Sequence, residues 1–167
     1  MFNDQEKGHI LSCKRKIKEL VHIKGIQPME GAIIAGGIFT SLLRGETYKD
    51  IDVFVLDNFQ YVMTKNSIIQ NNSMYLTKDN PNLVSVFLDD IQAVNTIFTK
   101  YTKREEVVNN FDFVHCCVSY DFDRLYISRK AYDCIMSRKL VANNKVIVND
   151  YRRQKFLKRG FNEDIGI

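Results

Sequence analysis

Asp50 and Asp52, in the run KDIDVFV, are the side chains of this 167-residue chain best placed by type and spacing to do chemistry. Residues two apart on a β-strand share a face, so the two carboxylates project side by side. Like charges in a partly dry place raise one pKa and cost stability unless cations lie between them. Two magnesium ions roughly 3.5–4 Å apart would fill that role, activate an attacking oxygen and neutralise a triphosphate. The competing reading is a solvated sheet face on which both acids bind nothing. Upstream, in AGGIFTS, stand Gly36 and Gly37. Lacking side chains, they let the backbone approach a ligand closely. A helix opening after them turns its first amides, Ile38 to Ser41, toward phosphate oxygens, and Thr40 and Ser41 add hydroxyls. Neither GxxxxGK[ST] nor GxGxxG occurs, so this is not a Walker loop or a dinucleotide fingerprint. A glycine pair alone also serves as a turn or a tight packing point.

Together, AGGIFTSLLRGETYKDIDVFV resembles the signature of the DNA polymerase β superfamily of nucleotidyltransferases. There a Gly-Gly or Gly-Ser opens a short helix, and a strand bearing Asp-x-Asp or Asp-x-Glu follows. Gly36 and Gly37 match the glycine element, and Asp50 and Asp52 match the metal-binding pair. The resemblance implies transfer of a nucleoside monophosphate from a nucleoside triphosphate to a hydroxyl with two Mg2+ ions. It also implies that the glycine turn holds the β- and γ-phosphates. A third metal-binding carboxylate is expected at Asp112 in NNFDFVHCC. The alternative for Asp112 is a carboxylate that orders a turn or accepts backbone hydrogen bonds. DFVHCCVSYD is similar to the RRDFTINALAY element of tRNA nucleotidyltransferases of the bacterial and eukaryotic class, whose Asp positions ribose and nucleotide instead of ligating metal. Asn109 and Asn110 stand near where that element has arginines, and the run VNTIF offers only Asn95 and Thr96 in place of an acid.

The tail VNDYRRQKFLKRGF resembles the end of the same catalytic head, where helical arginines contact the triphosphate or the base. Arg152, Arg153 and Lys155 are the expected contacts, with Arg44 and Lys49 adding charge near the turn. A guanidinium engages phosphate with two hydrogen bonds, which makes Arg the better orienting residue. Each of these is equally readable as a surface charge. His115 either borders the pocket or is a core histidine.

The elements that must position these residues read as an α+β plan: a mixed β-sheet with helices packed mainly on one side. A helix is expected over 4–24, its apolar stripe formed by Ile10, Leu11, Ile17, Leu20 and Val21. A small apolar segment covers 31–35, a short helix 38–43 is closed by Gly45, and the clearest strand is 50–56. A helix over 59–70 follows, then strands at 73–77 and 83–88 around the turn KDNPN, and a strand at 94–99. A helical turn at 103–109, strands at 111–120 and 124–127, a helix over 129–138, an edge strand at 146–148 and a helix from Asp150 to 158 complete the chain. We expect one domain over 1–167, its core at about 31–125, flanked by basic helices over 4–24 and 150–159.

Composition fits that plan. The 45% apolar content fills one ordinary core, and the formal charge is +4. Its basic residues cluster at Lys14, Arg15, Lys16 and Lys18 and again at Arg152 to Arg159, which suits phosphate or nucleic acid, although solvated helix faces read the same way. No apolar run reaches 18 residues, so no membrane partner is expected. MFNDQEKGHILSCKRK lacks the apolar centre of a secretory signal. Cys13, Cys116, Cys117 and Cys134 form no Cys-x-x-Cys pair and read as buried thiols of a reducing, cytoplasmic compartment, with zinc at His115, Cys116 and Cys134 disfavoured. The expected partners are an NTP and an acceptor, with tRNA, other RNA, a protein and a small molecule all open. Catalytic heads this small resemble phage-encoded and bacterial proteins. A chemically inactive relative that binds RNA or protein is the alternative.

Overall fold

The strand run DIDVFV alternates as the sequence suggests, with Ile51, Val53 and Val55 at 0–1% exposure and the residues between them reaching solvent. It forms β2 (Asp50–Val55), central in the sheet between the fully buried β1 (Ala32–Ala35) and β5 (Gln92–Phe98). The computed structural model describes residues 1–28, 30–57, 59, 62–63, 66, 70, 76–80, 83–89, 92–99, 101–143 and 146–163, and over 76–93 only the backbone. Within these residues the sheet has seven strands in the order β3-β4-β5-β2-β1-β6-β7. The others are β3 (Leu76–Asn80), β4 (Leu83–Asp89), β6 (Ser119–Tyr120) and β7 (Leu125–Tyr126). β2 pairs in parallel with β5, while the remaining pairs are antiparallel, so the sheet is mixed.

Three helices cover one face of this sheet. α1 (Asp4–Ile23) starts at a capping box in which Asn3 and Glu6 satisfy each other's backbone amides. Its buried stripe is Cys13, Ile17 and Val21, whereas Leu11, expected in the stripe, is 54% exposed. α2 (Ile38–Arg44) ends at Gly45 in the left-handed region (φ 65°), and α4 (Arg129–Ser137) is capped by Ser128. Ile17, Phe39, Ile135 and the β2 residues Ile51 and Val53 join in the main core. The other face carries a smaller cluster, in which α3 (Arg104–Asn109) sets Val107 against Ile33 and Ala35. Helices therefore lie mainly on one side, as expected.

The 111–120 segment departs from expectation. It makes a lone bridge from Phe113 to Ala142, a 3-10 turn at Val114–Cys116, and only then β6. Phe113, Val114, His115 and Cys116 are all buried in succession. Val114 packs into the main core, while Phe113 and Cys116 join a second cluster with Phe156 and Phe161. A period-two strand would turn two of these four side chains out; a tight turn lets one short segment serve two cores.

The last helix, α5 (Asp150–Lys158), packs through Phe156 into that second cluster. Its N-cap is Asn149, whose side chain accepts from Tyr151 N at 2.8 Å; Asp150 is the first helical residue. Residues 146–148, expected as an edge strand, are irregular. Instead β8 (Lys139–Leu140) pairs in parallel with β9 (Asn162–Glu163) and ties down the segment after α5. The helix expected over 59–70 and the strand start expected at 73–75 lie largely outside the described residues, as do Pro81 and Asn82 of the expected turn KDNPN; its first three residues, 78–80, continue β3 instead of turning.

Candidate active site

Asp50 is exposed at the start of β2, Asp52 is half-buried, and both line one cavity of about 450 Å³. The intervening Ile51 turns into the core, as the strand pleat requires. On β5, in register with Asp52, stands Asn95, whose Nδ2 donates to Asp52 Oδ1 at 2.8 Å. Burial pushes the Asp52 carboxyl above its ordinary value; the Asn95 hydrogen bond opposes this and the charge of Asp50 adds to it. Lys155 and Arg152 act from the far wall in the lowering direction, but the net effect is upward.

The glycine pair forms another wall of the same cavity. Gly36 has φ +99° and donates its amide to Val118 O at 3.1 Å, so the chain turns there in a conformation that side-chain-bearing residues rarely adopt. Gly37 is the N-cap of α2 and has no side-chain cap; a Cβ placed on it would meet nothing within 4 Å. At the start of α2 Phe39 N donates to Gly36 O and Ser41 N to Gly37 O, each at 3.4 Å, while the amides of Ile38 and Thr40 meet no backbone acceptor among the described residues. Thr40, in that first turn, lines the cavity too, and its buried hydroxyl has no hydrogen-bond partner among the described residues. Ser41 joins it at the wall.

α5 and the residues after it close the opposite side. Arg152, Lys155, Phe156 and Arg159 all reach the cavity, and their 3–4-residue spacing puts them on one helical face. Lys49, Lys155 and Arg159 form no ion pair among the described residues. Burial depresses the Lys155 ammonium, and the neighbouring Arg159 and Arg152 depress it further. An anion entering here would relieve that repulsion. Arg138, at a left-handed φ of 52°, spans from Glu46 to Arg159 O and lines the cavity as well.

Two of the aromatic residues lining the cavity, Phe156 and Phe161, flank His115 at ring-centroid distances of 4.5 and 4.3 Å. His115 is fully buried, so it is a core histidine that also borders the cavity. Burial, with Arg152 and Arg159 acting in the same direction against Asp112, pushes its imidazole down to about 4. It is neutral at physiological pH.

The remaining expected site residues fall elsewhere. Asp112 does not line the cavity; its carboxylate is gripped by Arg152 at 2.8 and 3.1 Å. Arg153 turns away to Glu163 and Asp150, and Arg44 serves Glu46 and the carbonyls of Ile135 and Met136. Among the described residues, no three His, Cys, Asp or Glu side chains converge to hold a metal ion, the disfavoured zinc set included. The cavity contacts of Arg138, Arg159, Phe156 and Phe161 were not anticipated as site residues. For Phe156 and Arg159 the helical spacing 152, 155, 156, 159 was the available signal; for Arg138 and Phe161 there was none.

A family model described as Gabija anti-defense 2 family protein matches residues 10–138. Among solved structures, the Thermotoga maritima CCA-adding enzyme complexed with tRNA is similar, with a TM-score of 0.60 and 16% identity, over 94% of this chain and 47% of that one. A CCA-adding enzyme complexed with CTP gives 0.67 and 16%, over 98% and 42%. A tRNA nucleotidyltransferase bound to a primer tRNA and an ATP analog gives 0.59 and 12%, over 89% and 46%. This chain thus has the nucleotidyltransferase fold and spans less than half the length of these structures. No curated protein matches it. No described helix is long and apolar enough to cross a membrane.

Proposed function

This chain belongs to the Gabija anti-defense 2 family, and we propose that it transfers a nucleoside monophosphate from an NTP to a hydroxyl acceptor in a metal-dependent reaction. The observation that carries the reading is the convergence of Asp50 and Asp52, the Gly36–Gly37 turn and the cations Lys49, Arg152, Lys155 and Arg159 on one cavity. The donor set fits divalent ions: hard carboxylate oxygens, one of them held above its ordinary pKa by burial and a like charge. Bound at Asp50 and Asp52, such ions would acidify the acceptor hydroxyl and neutralise the triphosphate.

The chain's own residues do the rest. The amides opening α2 and the hydroxyls of Thr40 and Ser41 receive the terminal phosphates, where the orphaned Thr40 Oγ1 finds a partner. Lys49, Lys155 and Arg159 supply charge to the same anion and to the pyrophosphate that leaves. Phe111, half-buried at the cavity wall, offers an apolar surface for the nucleoside. The acceptor oxygen gives up its proton to solvent and forms its bond to the α-phosphorus as the bond to the pyrophosphate oxygen breaks. The family's name sets its members against a defence called Gabija, and we assign the acceptor hydroxyl to a macromolecule of that system, protein or RNA.

The test is transfer of label from α-labelled NTP, with Mg2+, to the components of that defence, resolved into protein and RNA fractions. Label on either fraction that disappears with Asp52→Asn supports the reading; transfer indifferent to that substitution defeats it. A second reading, a nucleotidyltransferase fold used only to bind RNA or protein, is favoured by one observation: an amide, Asn95, where a neighbouring strand could supply a third acid. Calorimetry with a non-hydrolysable NTP separates the two. Mg2+-dependent nucleotide binding supports the enzyme, and RNA binding without nucleotide response supports the binder.

A further inference from the structure

We propose that Asp112 is a positioning residue: its carboxylate grips one edge of the Arg152 guanidinium so that the other edge is presented to phosphate oxygens in the cavity. The assignment rests on the nucleotide reading above and gives Asp112 a role different from metal ligation.

Arg152 donates from Nε to Asp112 Oδ2 at 2.8 Å and from Nη2 to Asp112 Oδ1 at 3.1 Å. That fork uses both carboxylate oxygens and one edge of the guanidinium. Nη1 meets no acceptor among the described residues. Arg152 lines the cavity, while Asp112 stands behind it. The guanidinium also lies over the Phe156 ring, with Cζ 5.2 Å from its centroid, which limits rotation of the planar group.

The platform under Asp112 is itself braced. Its carbonyl accepts from Asn143 N at 2.8 Å, and the Asn143 side chain donates to Phe111 O at 2.9 Å. A free arginine must lose rotamer freedom on meeting phosphate; one held from behind has already done so. Burial alone would raise the Asp112 carboxyl, but the hydrogen bonds and charge of Arg152, with the amides of Asp112 and Phe113, bring it below its ordinary value. It therefore stays ionised and keeps its grip at neutral pH. A metal ligand would instead have its oxygens open toward Asp50 and Asp52.

The test is a titration of the full chain with a non-hydrolysable NTP and Mg2+, using wild type, Asp112→Asn, Arg152→Ala and the double variant. Each single variant is expected to weaken nucleotide binding roughly tenfold, with the double variant no weaker than Arg152→Ala. Mn2+ titrated alone should bind Asp112→Asn as it binds wild type. Added methylguanidinium should restore affinity to Arg152→Ala, because Asp112 can seat the free cation, and should not restore it to the double variant. A small molecule cannot tether α5, so this rescue separates positioning from a mere clasp between helix and head. Weakened Mn2+ binding in Asp112→Asn, multiplying losses in the double variant, or no rescue of Arg152→Ala would each overturn the proposal while nucleotide binding by wild type stands. Absence of nucleotide binding by wild type would overturn both it and the wider reading.

Discussion

The two walls of the cavity are built by opposite means. The β2–α2 wall comes from one stretch, residues 36–52, in which strand alternation and a left-handed glycine settle where the groups point. The α5 wall comes from residues more than a hundred positions later and is held by long-range contacts: Arg152 to Asp112, Arg138 to Glu46 and to Arg159 O, and β8 to β9. One wall is written in backbone geometry and the other in ion pairs. Damage to the first should therefore remove chemistry or strain the chain, while damage to the second should weaken ligand binding.

Four substitutions probe that contrast. Asp52→Asn, on the first wall, should lower transfer by about 10²–10³-fold or more, read as incorporation of label with the far-UV spectrum unchanged. Gly36→Ala should cost about 1–3 kcal/mol of stability in a denaturant melt, because alanine is strained at φ +99° even though no neighbour crowds it closer than 4.0 Å.

The carboxylates of the two walls should respond to pH with opposite signs. Asp52 has its native pKa raised, so the folded state binds more protons than the unfolded one between the two values, and stability falls as pH rises through that window. Asp52→Asn should then raise stability slightly at pH 7, by on the order of 1 kcal/mol or less and read as a higher melting temperature, with the gain fading below the ordinary carboxylate range. Asp112 has its native pKa lowered, so its contribution is present above the unfolded value and is lost as pH falls through the native one. Asp112→Asn should lower stability at pH 7 by about 1–3 kcal/mol, read as a lower melting temperature, and have little effect in strong acid. Melting curves of both variants from pH 2 to 8 would show the curves of ΔTm on opposite sides of zero; the same sign for both would break the comparison. Arg153→Ala is the smallest: its exposed pairing with Glu163 and Asp150 predicts no resolvable shift of the melting curve and unaltered nucleotide affinity by calorimetry.

How much of this was legible follows the same division. The strand at 50–55, the glycine turn and the helix after it are local, and their residues meet in the cavity where the spacing placed them. The helix over α5 was legible as well, but of its adjacent arginines one enters the cavity and one turns to Glu163, a difference of about 100° in helical phase that composition cannot orient. The 111–120 segment reads as a strand because aromatic and β-branched residues crowd it, and short apolar-rich runs do not separate strand from tight turn. Two cores competing for Val114 and Cys116 decided it.

By itself the sequence determined a mixed α+β domain plan, two acids on one strand face and a glycine turn before them, since each of these depends on backbone periodicity within a few residues. Only the tertiary structure decided that Asp112 faces Arg152 and that α5 completes the cavity. Those outcomes depend on which distant surfaces meet, and no local period encodes the meeting.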